Sequence, residues 1–420
     1  MQLDVITIGG GLAGAALAKG LAEAGLRVLV LERETAFRDR VRGEQMHCWG
    51  TAEARALRIY DLLAGEGVGH EVRLWAVQIA GAPEAPPRDL VETTARRLPA
   101  LDVCHPAMQA RLLNAAAAAG AEVRRGVTVL GIAPGTQPQV RARLRDGGER
   151  SFVGRLVVGA DGRSSACRAW AGFEVRRDPE RMVIAGVLLE GFGAPEDRVS
   201  LFVDPAGGRL ALVAPLGGGR FRSYFGWFEQ GDGRGRRQRL GSRDLPQFIA
   251  GSIAAGAPPG WFERAVPIGP LASFEGADSW VDHPYRDGVA LVGDAAATSD
   301  PCFGCGLSLA LRDVRALRDR LLADGDPEAA GHDYAREHDR HYGAIHRLTG
   351  WMRTLLYDPS PEATALRRRA LPLLAAEPAR RIDLVGLGPD APSDEPARRR
   401  LFGEDEPLTS AQPAASDAEG

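Results

Sequence analysis

Short apolar runs that end in glycine alternate, in the first part of the chain, with longer stretches of helical texture. Residues 3–8, Leu-Asp-Val-Ile-Thr-Ile, form one such run. An alanine- and leucine-rich stretch from Leu12 to Ala24 follows and stops at Gly25. Arg27–Glu32 repeats the buried-strand pattern, so a strand–helix–strand unit of about 30 residues is expected here. Residues 106–119 read as a helix ended by Gly120. Val140, Ala142 and Leu144 alternate with Arg141, Arg143 and Arg145, the period of a half-exposed antiparallel strand that turns at Asp146-Gly147-Gly148. A buried run from Leu156 to Ala160 leads into Asp161-Gly162.

The pattern changes between residues 180 and 283. Strand-like pieces at 182–190, 198–204, 209–214 and 220–228 are separated by Gly, Pro and Asp turns, which predicts a mostly antiparallel sheet. The earlier pattern returns at Gly288–Asp294, before a helix from Gly306 to Leu322, and 328–376 look helical. The expected fold is therefore α/β. A discontinuous Rossmann-type domain (1–75, 101–175 and 285–327) carries an inserted, mainly antiparallel sheet domain (76–100 and 176–284). C-terminal helices (328–387) and a disordered tail (388–420) complete the expected organisation.

Composition adds exclusions. The 420 residues are 45% apolar and 25% charged, with a net charge of −3, so neither nucleic acid nor an anionic membrane surface is an expected partner. No run approaches the ~18 apolar residues of a membrane span. The N-terminus enters a strand pattern without a leader, which makes the cytoplasm the expected location. Five scattered cysteines do not suggest a disulfide framework. Cys302 and Cys305 form a C-x-x-C, read here as two small residues packing a tight loop rather than a redox pair. A zinc site lacks a second ligand pair, and no metal is expected. His332, His338, His341 and His346 have no metal-like order and are expected on a solvated helix face.

Three motifs carry chemistry. Gly9-Gly10-Gly11-Leu12-Ala13-Gly14 is a GxGxxG between the first strand and its helix. Gly9 permits the tight turn, Gly11 lets a pyrophosphate reach the backbone, and Gly14 lets helix and strand pack closely. Glu32 ends the second strand, where a carboxylate can accept hydrogen bonds from ribose hydroxyls. This module alone suits NAD or FAD equally. The second and third motifs are "VVGADGRSSACR" at 157–168 and "GVALVGDAAATSDPCFGCGLSLAL" at 288–311.

With these three in order, the chain resembles the class A FAD-dependent monooxygenases related to p-hydroxybenzoate hydroxylase, over residues 1–350. The resemblance implies non-covalent FAD, NAD(P)H as reductant, and oxygen insertion into an aromatic or polyketide/terpenoid-like small molecule through a flavin hydroperoxide. It implies FAD contacts at Gly9, Gly11, Leu12, Ala13, Gly14, Glu32, Arg33 and Arg42. Asp161 and Gly162 match the family's DG motif, and Gly293 and Asp294 its GD motif, whose aspartate hydrogen-bonds the ribityl chain. Gly304, Cys305, Gly306 and Leu307 fall where backbone N–H groups meet the flavin pyrimidine edge. His105, Gln109 and Val129 are further implied contacts. Arg42, Glu44 and His47, in the segment expected to line the flavin ring, and Pro301 are the candidates for the reacting side; Glu44 alternatively pairs with an arginine. Ala297 stands where the family commonly has histidine, and Gly304-Cys305-Gly306 replaces its Gly-Gln-Gly. The aromatics Phe225, Trp227, Phe228, Trp261 and Trp280 suit a substrate pocket or the sheet core equally.

The alternative is a flavin-dependent dehydrogenase or prenyl-type reductase without oxygen insertion, with a non-catalytic flavin protein behind it. A lysine-dependent halogenase is disfavoured because Lys19, the only lysine, lies in the first helix and no WxWxIP is present. The expected partner is an apolar or aromatic small molecule; the oligomeric state stays open.

Overall fold

The computed structural model describes residues 3–179, 182–229 and 239–405. Its first layer is a parallel sheet with the strand order Val289–Leu291, Glu149–Gly159, Leu3–Ile8, Val28–Glu32, Glu122–Arg125. Tyr285–Arg286 adds an antiparallel edge. The far half of Glu149–Gly159 leaves this layer to pair antiparallel with Gln139–Arg143, which pairs with Thr128–Ala133. The first helix, Leu12–Glu23, lies close against the sheet because its inner face is Ala15, Ala16 and Ala18, all buried. Helices His105–Ala118 and Gly306–Asp324 flank it in one core.

The second layer is an antiparallel sheet ordered Met182–Glu190, Arg220–Phe228, Arg209–Gly217, Arg198–Asp204, with Leu74–Ile79 added parallel to the last strand. Alternation sorts its residues. One face buries Phe221, Phe225, Val213 and Val187 beneath the helix Leu245–Ala254. The other face presents Met182, Leu201, Val203, Leu210 and Phe228 to the loop and helix that follow Gly293. This period-2 sorting places Phe225 and Trp227 in the sheet's own core, which Trp261 joins from the turn Pro259–Trp261, and leaves Phe228 on the inner side, where Trp280 also packs.

The long helix Pro327–Leu356 has 30 residues, about 45 Å, and is opened by Asp326, whose side chain accepts the Glu328 N–H. Pro361–Ala376 packs beside it.

Two sequence expectations are corrected. The tail is not disordered from residue 388: Glu395–Phe402 is a helix capped by Asp394, and Leu401 and Phe402 bury against Leu355 and Ala370. Its charges are internally paired, Arg398 with Glu395 and Glu404, so a polar composition concealed a docked element. Residues 406–420 lie outside the described residues. The helix histidines are not on a solvated face either, since His338 and His341 are 2% and 4% exposed. Their buried position follows from a matching acid, Asp313, on the neighbouring helix. No helix among the described residues is long and apolar enough to cross a membrane.

Candidate active site

The glycine turn after Leu3–Ile8 is built by close approach. Gly9 has φ +103°, and a Cβ there would stand 2.4 Å from the Ala160 carbonyl oxygen. A Cβ on Gly14 would lie 2.0 Å from the Gly9 carbonyl oxygen. Gly11 differs: an added Cβ would meet only Gln109 Nε2, at 3.6 Å. The first two glycines are therefore demanded by the chain itself, whereas Gly11 faces open space. Glu32 is buried at the turn, accepting the Gly10 N–H at 2.6 Å and the Glu34 N–H at 2.7 Å. Leu12 and Ala13 are buried in the first helical turn, while the Arg33 side chain is 71% exposed.

The DG pair sits next to this turn. Asp161 Oδ2 accepts the N–H groups of Ala166 and Cys167 at 2.8 and 3.2 Å, and Gly162 turns the chain with φ +82°. Asp161 Oδ1 is buried without a hydrogen-bond partner. Arg168, buried at the end of this segment, donates to the carbonyls of Asp294 and Ala295 at 2.6 and 2.7 Å. It bolts the second motif to the third. The sequence reading missed Arg168; its only signal was an arginine inside an otherwise small-residue stretch.

Asp294 has an exposed side chain, yet protein surrounds it deeply enough that burial raises its carboxyl above the usual range, against Arg163, Arg42 and Arg168. An acid reached by solvent but enclosed by protein lines a deep cleft. Beneath it, the Gly293 N–H donates to Asp313 Oδ2 at 2.8 Å. Asp313 Oδ1 faces His338 Nδ1 and His341 Nε2 at 2.8 and 3.0 Å. Asp313 too escaped the sequence reading, because one acid in an amphipathic helix looks like a solvated one.

The loop after Asp300 closes the cleft. Pro301–Phe303 forms a short turn, Gly304 continues with φ +61°, and the helix begins at Gly306. Cys302 and Cys305 are free thiols held in the thiol form by burial, which supports their packing role. His47, 1% exposed, places Nε2 2.6 Å from the Phe303 carbonyl oxygen, and burial pulls its pKa down to about 4. Gln45 Oε1 lies beside Gly304, while Gln45 Nε2 and His47 Nδ1 have no hydrogen-bond partner. Glu44 is also buried: Arg222 Nε stands 2.9 Å from its Oε1, and the Tyr224 hydroxyl lies against both the Glu44 carboxyl and the Arg42 carbonyl. Its carboxyl is pushed well above the usual range by burial, which Arg222 only partly offsets. The arginine-pairing alternative is thus the arrangement found. His105 Nε2 lies 2.8 Å from the Gly43 carbonyl oxygen and holds this segment; burial lowers its pKa to about 4. Arg42 itself is exposed, and Val129 is half-buried in its strand opposite Ala142.

These features fit a dinucleotide with a flavin head. A Cβ on Gly43, Gly162 or Gly306 would meet nothing within 4 Å, so the backbone borders open space at three further points. The helices at Leu12 and Gly306 start without a side-chain cap and without acid in the first turn, leaving N–H groups and positive dipole ends free for anionic groups. Asp161 Oδ1 remains as an unpaired polar atom.

Comparison with known proteins agrees. Residues 2–341 match the family model described as FAD binding domain. A rifampicin monooxygenase of Streptomyces venezuelae is 28% identical over 381 residues, covering 86% of this chain and 74% of that protein. A digeranylgeranylglycerophospholipid reductase of Methanopyrus kandleri is 27% identical over 326 residues, 74% of this chain and 78% of that protein. The p-nitrophenol 4-monooxygenase PnpA of Pseudomonas putida superposes with a TM-score of 0.72 at 18% identity, over 96% of this chain and 97% of that one, a likeness of fold. With its glycine turn, DG clamp and GD loop arranged around one cleft, the chain belongs to the FAD-binding-domain family of class A flavin monooxygenases.

Proposed function

We propose that this chain is an FAD-dependent monooxygenase that uses NAD(P)H and O₂ to insert one oxygen atom into an aromatic or polyketide/terpenoid-like small molecule. The observation that carries the reading is the apolar inner face of the antiparallel sheet. Met182, Leu201, Val203 and Leu210 pack with Phe303 and Cys305 in one buried cluster, an apolar backing for the loop at the end of the cleft that suits an apolar substrate beside the flavin.

FAD bound here would supply the redox chemistry, taking a hydride from NAD(P)H and activating O₂. The chain's own residues bind, orient and keep the site dry. The N–H groups at Gly11–Ala13 would hold the pyrophosphate, Glu32 would take the ribose hydroxyls, and Asp294 would take the ribityl chain. The free helix start at Gly306–Leu307 would stabilise negative charge on a bound flavin. His47, neutral at physiological pH, holds the Phe303 carbonyl and so fixes the loop of Pro301 and Gly304. Arg42 balances Asp294 across the cleft, and Glu44 with Arg222 and Tyr224 anchors the segment that carries Arg42 and His47.

The test is NAD(P)H oxidation by the FAD-loaded protein with phenols, polyketide-like aromatics and alkenes under ¹⁸O₂. Ligand-stimulated oxidation with one ¹⁸O atom in the product is expected. Reduced product without label would replace this reading with the reductase one, which the Methanopyrus relative keeps in view.

A further inference from the structure

Two acid–imidazole clusters are attached to the long helix Pro327–Leu356, and they differ in whether the buried carboxylate finds hydrogen-bond donors. Asp313 meets two imidazoles and one backbone N–H, so its acceptors are matched by donors. Around His346 the count is reversed. His346 Nε2 lies 2.9 Å from Asp178 Oδ2 and 3.7 Å from Asp278 Oδ2, one imidazole facing two carboxylates. Asp278 is 0% exposed, and neither of its oxygens has a hydrogen bond of normal geometry. Asp300 adds negative charge nearby, but its carboxylate is already taken by Arg353 and Tyr357. The Asp300 N–H and the charge of Arg353 favour the ionised form only in part, so a fully buried carboxylate aimed at a second carboxylate and an imidazole leaves lone pairs open to a cation.

We propose that Asp178, Asp278 and His346 form a binding site for one divalent first-row transition-metal ion, with water completing its shell. Two hard oxygen donors and one imidazole suit such an ion better than calcium or magnesium, which favour oxygen alone. The donor atoms lie within 4.8 Å of one another. Ligands about 2.1 Å from a metal stand about 3.0–3.4 Å apart, so the observed 2.9 and 3.7 Å need only small side-chain rotations. Asp178 and His346 keep 25% and 30% exposure, which gives ion and water a path. The frame is rigid. The Asp178 N–H donates to the Asp278 carbonyl at 3.0 Å, and Arg176–Arg177 pairs with Ser279–Trp280. Trp280 and Tyr342 flank the imidazole, with ring centroids 4.8 and 5.9 Å away.

The ion's role is to hold. It ties the long helix to the small sheet whose third strand, Ala297–Thr298, runs into the Asp300 loop bordering the cleft. The site is independent of the flavin chemistry. No spacing motif announces it, because its ligands come from three distant parts of the chain.

The test uses the full-length FAD-loaded protein, freed of metals with EDTA and titrated with MnCl₂ while the EPR signal of free Mn²⁺ is followed. Manganese avoids the free thiols, which zinc would also find. One saturable Mn²⁺ per chain is expected. Asp278→Asn and His346→Gln, each checked for native flavin absorbance and circular dichroism, should weaken it about 100-fold, at least the loss that removing outer-shell support causes. Asp178→Asn, at a part-exposed position, gives the same comparison if either of the other variants fails to fold. Absence of saturable Mn²⁺ binding, or binding left unchanged in all folded variants, would overturn the site.

Discussion

The Asp313 cluster and the Asp278 cluster draw their imidazoles from the same helix, yet they solve the burial of charge in opposite ways. Both oxygens of Asp313 meet donors, while the far ring nitrogens of His338 and His341 stay without a partner. Asp278 faces a second carboxylate and one imidazole, has no hydrogen bond of normal geometry, and feels only the nearby Asp300 N–H and the charge of Arg353. The same contrast separates the floor of the cleft from its walls. Below Gly293 every carboxylate oxygen is occupied; above it Asp294 is open, Asp161 keeps a spare oxygen, and two helix starts are uncapped. Self-satisfied polar groups mark where the fold holds itself together, and groups with spare capacity mark where something else binds.

The largest effect should come from breaking the closed cluster. Asp313→Ala leaves the Gly293 N–H and two buried imidazoles without an acceptor, and should cost about 3–5 kcal/mol of stability. Urea denaturation of the FAD-free protein measures this; a loss below 1 kcal/mol would erase the contrast between the clusters.

Next, the glycine turn sharpens the distinction between self-built and ligand-facing positions. Gly14→Ala forces a Cβ against the Gly9 carbonyl and should cost about 1–3 kcal/mol even without FAD. Gly11→Ala, with nothing nearer than 3.6 Å, should leave the melting temperature of the FAD-free protein unchanged. It should still weaken FAD about 10-fold or more by filling the space a pyrophosphate needs, as read by fluorescence titration. Equal loss of stability in both variants would remove the difference.

The smallest effect concerns pH. Burial alone would raise the Asp313 carboxyl and lower His338, but their mutual attraction wins in both. Asp313 is held well below the carboxylate range, so its contribution is complete above its unfolded value and is lost as pH falls through the folded one. His338 is raised above its ordinary 6.5, so its contribution is complete below 6.5 and fades as pH rises through the folded value. The stability difference between wild type and His338→Gln should therefore shrink from pH 6 toward pH 9 in urea melts. A difference that grew with pH would show that the imidazole is neutral in the cluster.

Much of the architecture was legible in advance. The strands at 182–190, 198–204 and 220–228 coincide with Met182–Glu190, Arg198–Asp204 and Arg220–Phe228, because alternation and turn residues are local signals. The glycine turn and the GD loop were legible for a similar reason, since positive φ and close approach leave few residues acceptable. Glu395–Phe402 was not, because its anchoring by Leu401 and Phe402 depends on a surface formed elsewhere. Arg168 was missed for a related reason: its partners are backbone carbonyls 126 and 127 residues away, which no side-chain pattern encodes.

By itself, then, the sequence determined the order of elements, the glycines of the phosphate turn, and the acids at positions 161 and 294, all written in contiguous stretches of chain. Only the tertiary structure decided that Glu44 turns to Arg222, that His47 holds the Phe303 carbonyl, and that Asp313 gathers two histidines while Asp278 meets one across a second carboxylate. Burial and the balance of donors against acceptors are properties of neighbours in space, and the chain brings those neighbours together only when it folds.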